Sequence, residues 1–193
     1  MLKQLMPALK MTIVITVLTG LIYPAAVTGV CQLAFKSKAD GSLFAKNGRV
    51  EGSFLIGQNF SRPEYFHPRP SAAGPHGYDP TASGSSNLGP TNQRLYDRIR
   101  ASAEQFRKEN PKYVGSIPAD ALTVSGSGLD PDISPANAAA QTARVAEARG
   151  ATVTQIQDLI ASITEERGFG FLGEPRVNVV KLNMALDRQF PKH

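Results

Sequence analysis

The feature that most constrains this chain is a run of 25 residues, 11–35, that contains no formally charged side chain. Lys10 precedes the run, and Lys36 and Lys38 follow it. A helix of this length extends about 37 Å, which exceeds the roughly 30 Å hydrocarbon layer of a bilayer. The sequence therefore predicts a transmembrane helix over residues 11–35, preceded by an N-terminal tail at residues 1–10.

Small side chains lie within this predicted helix. Thr16, Thr19 and Gly20 would let another helix approach closely, as small residues do at membrane helix interfaces. Pro24 lacks a backbone donor and is expected to kink the helix, which neighbouring helices commonly tolerate. We therefore expect a partner within the membrane.

A cleaved signal peptide is the alternative interpretation of this segment. Lys3 and Lys10 give a basic beginning, and Val27 and Gly29 are small enough to precede a cleavage site. The apolar run continues to Phe35, which is longer than a signal peptide needs. Charge does not set the orientation of a membrane helix here, because lysines flank it on both sides.

The charge balance argues against nucleic-acid binding. Residues 1–40 hold four lysines and one aspartate, a net charge of +3, and the remainder holds 17 basic and 15 acidic side chains, a net charge of +2. That remainder is too balanced to attract a phosphate backbone. The single cysteine, Cys31, excludes an intramolecular disulfide, and bulky Val30 before it is unlike a lipoprotein signal. Three scattered histidines give no metal-site signal, so we expect no bound metal or cofactor.

The rest of the chain, residues 36–193, predicts one soluble accessory domain with its own core. A β-hairpin is expected over residues 42–57, because Asn47-Gly48 is the strongest short hairpin signal. Its core-facing side chains would be Phe44, Val50, Phe54 and Ile56. The expected fold class is therefore α+β, a single N-terminal transmembrane helix followed by one mixed domain with a β-hairpin and several helices.

Four later segments have the periodicity of amphipathic helices. The first is expected over residues 91–110, capped by Thr91, and the second over residues 134–150. The third begins at a capping box of Thr152 and Gln155 and ends at Gly168. The fourth is a tail helix that Asn178 caps after a short extended piece. Strand throughout the tail is the alternative.

Residues 61–93 differ in composition from the rest of the chain. Six prolines, four glycines and five serines make up 15 of these 33 residues. So much proline excludes a long helix or a central strand. Tyr65, Phe66 and Tyr78 can bury enough apolar area to order the segment. We therefore predict an ordered surface loop, with a flexible linker as the alternative.

No catalytic or phosphate-binding motif stands out. Gly168, Gly170 and Gly173 match G-x-G-x-x-G, but they follow a helix and run into Pro175 instead of joining a strand to a helix. A P-loop motif is absent from the sequence, and so is a recognisable serine, histidine and acid combination. We therefore predict that the chain is not an enzyme by itself and has no catalytic residues.

Several stretches together resemble one known family, the C subunit of the bacterial Kdp-type potassium-transporting P-type ATPase. They are GS at 52–53, LIGQNF at 55–60, YFH at 65–67, RPSA at 69–72, SGSSNLGPTN at 83–92, SGLDP at 127–131, ISP at 133–135, Gln141, RVA at 144–146, VNV at 177–179 and LN at 182–183. Two positions depart from the family, since Ser85 stands where it usually has glycine and Asp132 where it often has histidine.

The resemblance implies a four-part potassium pump. Its other chains would be a potassium-channel-like subunit, an ATP-hydrolysing subunit and a small single-span subunit, so that the complex handles ATP and potassium. The family is described as a catalytic chaperone that raises the ATP affinity of the hydrolysing subunit. It is also described as a single-pass protein of the bacterial inner (plasma) membrane, embedded in lipid, with a cytoplasmic N-terminus and the domain outside. A domain outside cannot touch cytoplasmic ATP, so its effect would have to be transmitted between distant sites.

Two sets of candidate site residues follow. For an accessory subunit, the expected partner contacts in the proline-rich segment are Tyr65, Phe66, Arg69, Asn87 and Asn92. For the alternative of a direct ATP-binding module, the polar contacts would come from Gln141, Arg144 and Ser127. A secreted binding protein released by signal cleavage is the third hypothesis.

Overall fold

The computed structural model describes residues 2–46 and 48–191. The chain divides into two compact units, Met1–Ser53 and Phe54–His193.

A nearly continuous helix begins the first unit. It consists of α1 (Leu2–Val17), a π-helical stretch (Leu18–Ile22) and α2 (Tyr23–Ala34). The stretch Gln4–Ala34 contains an 18-residue window with a mean hydropathy of 2.0 and is long enough to cross a bilayer. The helix begins before the uncharged run, so residues 2–10 are helical as well. It is the one helix in the described part of the chain with the length and composition of a transmembrane helix, as expected.

The π-helical stretch immediately precedes Pro24. The Tyr23 N–H donates to the Leu18 carbonyl, five residues earlier, instead of to a carbonyl one turn away. Because proline has no N–H and clashes with the preceding turn, a local widening of the helix is a common adjustment beside it.

A short helix and a β-hairpin complete the first unit. They are α3 (Lys36–Ala39), β1 (Leu43–Lys46) and β2 (Arg49–Ser53), the two strands being antiparallel. The predicted hairpin is confirmed, although its second strand ends at Ser53, opposite Leu43 where the first strand begins. Asn47 of the predicted turn lies outside the described residues.

One expectation about the hairpin is wrong. Val50, predicted to face a core, is 63% exposed, whereas Phe44, Phe54 and Ile56 are half-buried. A bulge between Phe44 and Ala45 interrupts the alternation of the two faces on which that expectation depended.

The second unit contains four α-helices and a small antiparallel sheet. The helices are α4 (Gln93–Glu109), α5 (Pro135–Arg149), α6 (Val153–Ile163) and α7 (Val179–Gln189), with a 3₁₀ turn at Ala119–Ala121. The strands, in the order β3-β5-β4, are β3 (Asp132–Ile133), β4 (Thr164–Glu165) and β5 (Arg176–Asn178). The α+β class predicted from the sequence is confirmed.

Side-chain caps fix the beginnings of three of these helices as predicted. Ser134 accepts the Asn137 N–H at the start of α5, and Asn178 accepts the Lys181 N–H at the start of α7. Both bonds of the capping box between Thr152 and its partner glutamine are present at the start of α6. These bonds span only three residues, which is why the sequence could indicate them.

Two helix boundaries differ from the prediction. Asn92, not Thr91, caps α4, since its side chain accepts the Arg94 N–H. Helix α6 ends at Ile163 and not at Gly168, because the next two residues pair with β5.

The hydrophobic core of the second unit lies between α5, α6, α7 and the sheet. Its fully buried members include Phe66, Val145, Ile156, Val177, Leu182 and Leu186. Buried alanines on α5 let the neighbouring elements approach closely, as its composition suggests. Phe66 belongs to the proline-rich segment and anchors it in the core. Burial of this one side chain stabilises the folded chain by about 2–3 kcal/mol.

Candidate functional site

The proline-rich segment, defined here as residues 61–92, contains no helix or strand. Hydrogen bonds from α7 nevertheless hold its backbone in place. The Asn183 side chain accepts the Phe66 N–H at 2.9 Å and donates to the Phe66 carbonyl at 3.0 Å. Asn183 is 1% exposed, so both bonds are shielded from water and costly to break.

Gln141 on α5 makes the same kind of paired contact with the next residue of the segment. Its Oε1 accepts the His67 N–H at 2.8 Å, and its Nε2 donates to the His67 carbonyl at 3.1 Å. The same Nε2 also donates to Asn137 Oδ1 at 2.9 Å. Two buried amides therefore satisfy the backbone of two consecutive residues where no strand does so.

Arg144, one turn further along α5, binds two more carbonyls of the segment. Its Nη1 donates to the carbonyls of Pro63 at 2.6 Å and Tyr65 at 2.8 Å. Its Nε donates to Asn110 Oδ1 at 3.0 Å, and its Nη2 to Gln141 Oε1 at 2.6 Å. Burial lowers the pKa of Arg144 to about 10, while the charge of Glu109 acts in the opposite direction. The guanidinium therefore stays charged at neutral pH and joins the segment and α5 to Asn110, the residue that follows α4.

Two guanidinium groups lie close to the ring of Tyr65. Those of Arg62 and Arg149 are 5.0 and 4.8 Å from the centre of its ring, within cation–π range. The buried Arg149 also donates to the Glu64 carbonyl at 2.9 Å and pairs with Asp187 at 2.7 Å. The Tyr65 hydroxyl donates to the same aspartate at 3.1 Å. These contacts tie the beginning of the segment to the end of α7.

The middle of the segment is fixed on the loop that precedes β3. Ser71 Oγ donates to the Gly128 carbonyl at 2.6 Å, and the Gly84 N–H donates to the Ser127 carbonyl at 2.8 Å. Gly128 has a φ of +70°, and a Cβ there would lie 2.6 Å from the Gly84 carbonyl oxygen. The close approach of the two loops therefore requires glycine at this position.

Tyr78 and Arg69 are joined within the segment. The Tyr78 hydroxyl donates to the Arg69 carbonyl at 2.8 Å, and burial is the main reason why the pKa of this phenol is raised. The Arg69 guanidinium pairs with Asp130 at 3.1 Å. Both side chains therefore have defined positions on the inner side of the segment.

An open cavity of about 710 Å³ lies between the segment, α4 and α5. Its polar lining includes His67, whose Nδ1 is 3.0 Å from Glu109 Oε2 and whose Nε2 is 3.1 Å from the Arg62 carbonyl. The hydrogen bond with His67 holds the pKa of Glu109 below its usual range, although burial opposes it. Across residues 2–46 and 48–191, no group of three or more histidine, cysteine or acidic side chains could hold a metal ion.

The expected partner contacts occupy different environments. Tyr65 and Arg69 are half-buried, and Phe66 is fully buried in the core. Asn87 and Asn92 are exposed near the end of the segment, Asn87 with a φ of +48° and Asn92 as the cap of α4. The outer face of the segment near α4 is therefore the accessible part of the candidate surface.

The expected ATP contacts do not converge on one cavity. Gln141 and Arg144 touch each other, and their polar atoms are engaged by the proline-rich backbone. Ser127 lines a second cavity of about 500 Å³ beside Arg69 and Asp130, whereas Gln141 lines the first. The assignment of these three residues to ATP stays a prediction.

Sequence reasoning missed Asn183 and Arg149 as determinants of this surface. An asparagine at an inward helical position, next to Leu182 and one turn from Leu186, is a signal that could have been used. A buried amide needs hydrogen-bond partners, and in a helix whose own backbone is satisfied these must come from another segment.

Comparison with known proteins gives a consistent result. The family described as "KdpC: K+-transporting ATPase, c chain" matches residues 5–188. The potassium-transporting ATPase KdpC subunit of Myxococcus xanthus is 53% identical over 191 residues, covering 98% of this chain and 90% of the relative. The corresponding subunit of Mycobacterium tuberculosis (strain H37Rv) is 53% identical over 187 residues, covering 96% and 98%.

A third relative, the KdpC subunit of Gemmatimonas aurantiaca, is 54% identical over 187 residues, covering 97% of this chain and 94% of the relative. These names describe a subunit, in agreement with the prediction that the chain is not an enzyme by itself. The resemblance found in the sequence is confirmed. Because the family match and the identities extend over nearly its whole length, the chain belongs to the KdpC family, the C chain of the K⁺-transporting ATPase.

Proposed function

We propose that this chain is the non-catalytic accessory subunit of a high-affinity, ATP-driven potassium import complex. In that complex it stabilises assembly through the N-terminal helix and the proline-rich segment. Its partners are a potassium-channel-like subunit, an ATP-hydrolysing subunit and a small single-span subunit. Relatives named as subunits of a potassium-transporting ATPase support this proposal.

The observation that carries the proposal is the pair of amides from Asn183 and Gln141 that hold Phe66 and His67. Ordering a free loop on binding costs roughly 1–2 kcal/mol for each residue. A segment that is already held by buried side chains avoids most of this cost when a partner docks. The domain therefore offers a preformed surface, as an assembly subunit requires.

The proposal includes a single pass through the bacterial inner membrane, with the N-terminus in the cytoplasm and the domain outside. The apolar helix Gln4–Ala34 supports a single pass. A cysteine in place of Ser85, with Cys31 replaced by serine, provides the test in intact cells. A membrane-impermeant maleimide should label the domain before lysis, and labelling only after lysis would contradict the outward orientation.

As a catalytic chaperone, the subunit raises the ATP affinity of the hydrolysing subunit. From outside the membrane it does so through a coupling free energy, about 1.4 kcal/mol for a tenfold change in affinity. Gln141 and Arg144 would then act by holding the proline-rich segment, which their observed contacts support. This account needs no ATP on the subunit itself.

Photoaffinity labelling of the purified complex with an azido-ATP distinguishes this account from direct ATP binding. Label on the hydrolysing subunit alone is expected. Label on this chain that Gln141→Ala abolishes would establish direct binding by the predicted contacts, and this variant must be compared with Gln157→Ala, an exposed glutamine on α6.

Deletion of residues 1–35 tests the role of the helix in assembly. We expect the truncated chain to be lost from the purified complex, and full assembly and transport without these residues would contradict the proposal. The intact mass of the purified chain tests the hypothesis of a secreted binding protein. That hypothesis requires a cleaved chain whose mature N-terminus lies near Val30, whereas the membrane-anchored subunit keeps its N-terminal helix.

A further inference from the structure

The connection between β4 and β5 exposes three large apolar side chains. Residues 168–173, which we call the apolar tip, include Phe169, Phe171 and Leu172, which are 90%, 71% and 54% exposed. The tip contains no charged residue. Neither phenylalanine contributes appreciably to the core of the second unit, so the packing of this unit does not explain them.

Hydrogen bonds within the tip give it a fixed shape. The N–H groups of Gly168 and Leu172 each donate to the other residue's carbonyl at 2.8 Å. The Gly170 N–H donates to the Arg167 carbonyl at 3.1 Å, and the Phe171 N–H donates to the Gly168 carbonyl at 3.2 Å. At the base, Arg167 pairs with Glu174 at 2.6 Å. Since four backbone donors of the tip are satisfied within residues 167–173, the tip can leave water without losing those bonds.

Phe169 has an unusual backbone conformation. Its φ is +52°, in the left-handed region that bulky side chains seldom adopt. Such a conformation costs roughly 1–3 kcal/mol, and glycine or asparagine would reduce the cost. The structure therefore carries strain that presents an aromatic side chain to the surroundings.

The charges beside the tip distinguish between two kinds of surroundings. Arg167 and Glu174 neutralise each other, and Glu166 forms no ion pair with any residue that the structure describes. The base of the tip therefore has a net charge of −1. An anionic lipid surface would repel it, whereas a protein pocket bordered by basic groups would complement it.

We propose that the apolar tip inserts into an apolar pocket with a basic rim on a partner subunit of the same ATPase. This inference rests on the proposed function as an accessory subunit. Aromatic side chains that fill a pocket contribute much of the energy of protein interfaces. A tip of fixed shape also loses little entropy on entering a pocket of matching shape. Insertion into a fluid bilayer does not require a tip of fixed shape.

Site-specific photocrosslinking in the assembled complex tests the contact. p-Benzoylphenylalanine replaces Phe169 in the tip or Val114, a control side chain that is 92% exposed elsewhere in the second unit. The expected product joins position 169 to one peptide of a partner subunit. Crosslinks to lipid alone, no product, or the same crosslinked peptide from Val114 would overturn the inference.

Removal of the aromatic side chains gives a second, independent measurement. In the complex, Phe169→Ser with Phe171→Ser is expected to accelerate dissociation of this chain at least tenfold, as loss of anchor residues does. Thermal unfolding of the chain alone should stay unchanged, because both side chains are exposed, and Val114→Ser should change neither quantity. A double variant that dissociates at the wild-type rate would overturn the inference.

A wild-type chain that does not associate with the other subunits would refute the proposed function. A complex that assembles normally but shows no contact of the tip would refute only this inference.

Discussion

Asn183 and Phe66 exchange two hydrogen bonds although 117 positions separate them in the chain. The side chain of Phe66 is at the same time buried in the core cluster that also contains Leu182. The beginning of the proline-rich segment can therefore be ordered only when α7 is in place. Order in the candidate surface and closure of the core are thus parts of one folding event.

Asn183→Ala should destabilise the chain by about 2–4 kcal/mol, because it leaves a buried N–H and a buried carbonyl of Phe66 without partners. Denaturant unfolding of the full chain in detergent, followed by circular dichroism, measures the change. Asn59→Ala removes an exposed amide and serves as the control. Equal stability of the two variants would show that the paired bonds contribute little.

Arg144→Lys should loosen the proline-rich segment although it keeps the charge. A lysine ammonium cannot contact Pro63, Tyr65 and Asn110 simultaneously as the guanidinium does. We expect amide hydrogen exchange in residues 61–67 to become about tenfold faster or more, a loss of at least about 1.4 kcal/mol of local stability. Arg94→Lys, at an exposed position on α4, should leave these rates unchanged. Unchanged amide hydrogen exchange in Arg144→Lys would show that the Arg144 guanidinium does not hold the proline-rich segment.

Gly128→Ala should destabilise the chain by about 2–4 kcal/mol, because strain at a positive φ and steric overlap act together. The added methyl group would lie 2.6 Å from the Gly84 carbonyl oxygen and 2.9 Å from Ala73. At Gly126 nothing lies within 4 Å of such a methyl group. Gly126→Ala is therefore expected to change stability by less than about 0.5 kcal/mol. Similar melting temperatures for the two variants would refute the close packing of the two loops.

Glu165→Gln should lower stability at neutral pH but not in acid. The hydrogen bond from Lys181 is the main reason why the pKa of Glu165 is lowered, and Arg176 adds to it. A lowered pKa contributes stability that is present above the pKa of the unfolded chain and is lost as pH falls through the folded pKa. Because the carboxylate is partly exposed, we expect only about 0.3–1 kcal/mol. Urea unfolding at neutral and acidic pH measures the difference, which should vanish in acid.

Asp132→Asn should change stability at neutral pH in the opposite direction to Glu165→Gln. This is expected although Asp132 Oδ2 lies 3.2 Å from Nε of the same Arg176. Burial chiefly, and also the charge of Asp130, raises the pKa of Asp132, and this net direction already includes the opposing attraction from Arg176. A raised carboxyl pKa is a destabilisation present above the folded pKa and absent below that of the unfolded chain. The variant should therefore be more stable than the wild type at neutral pH and equal to it in acid. Lower stability at neutral pH would show that the ion pair prevails.

Local signals predicted most of the elements of the second unit. Ser134, Thr152 and Asn178 each cap a helix through a bond to a residue three positions later, and the structure contains all three. The error at the end of α6 has a cause outside the local sequence window. The end of α6 moved to Ile163 because pairing with β5, a contact across the chain, competes with helix continuation.

The candidate site was predictable only in outline. Composition indicated that residues 61–93 are special, and the aromatic side chains indicated that they are ordered. The partners were not predictable, since Gln141 contacts a residue 74 positions away and Arg144 one 81 positions away. In the sequence both polar side chains are equally compatible with the alternative of ATP contacts, because a sequence shows that a side chain can form hydrogen bonds but not with which group.

By itself, therefore, the sequence determined the apolar N-terminal helix, the caps of three later helices and membership in the family, because each depends on residue type within a short window or on overall similarity. Tertiary structure alone decided how the proline-rich segment is held and where the apolar tip is exposed. The physical reason is that proline and glycine leave the backbone of the segment without its own ladder of hydrogen bonds. Its conformation is therefore set by side chains such as Asn183 and Arg144, which reach it only when the core has closed.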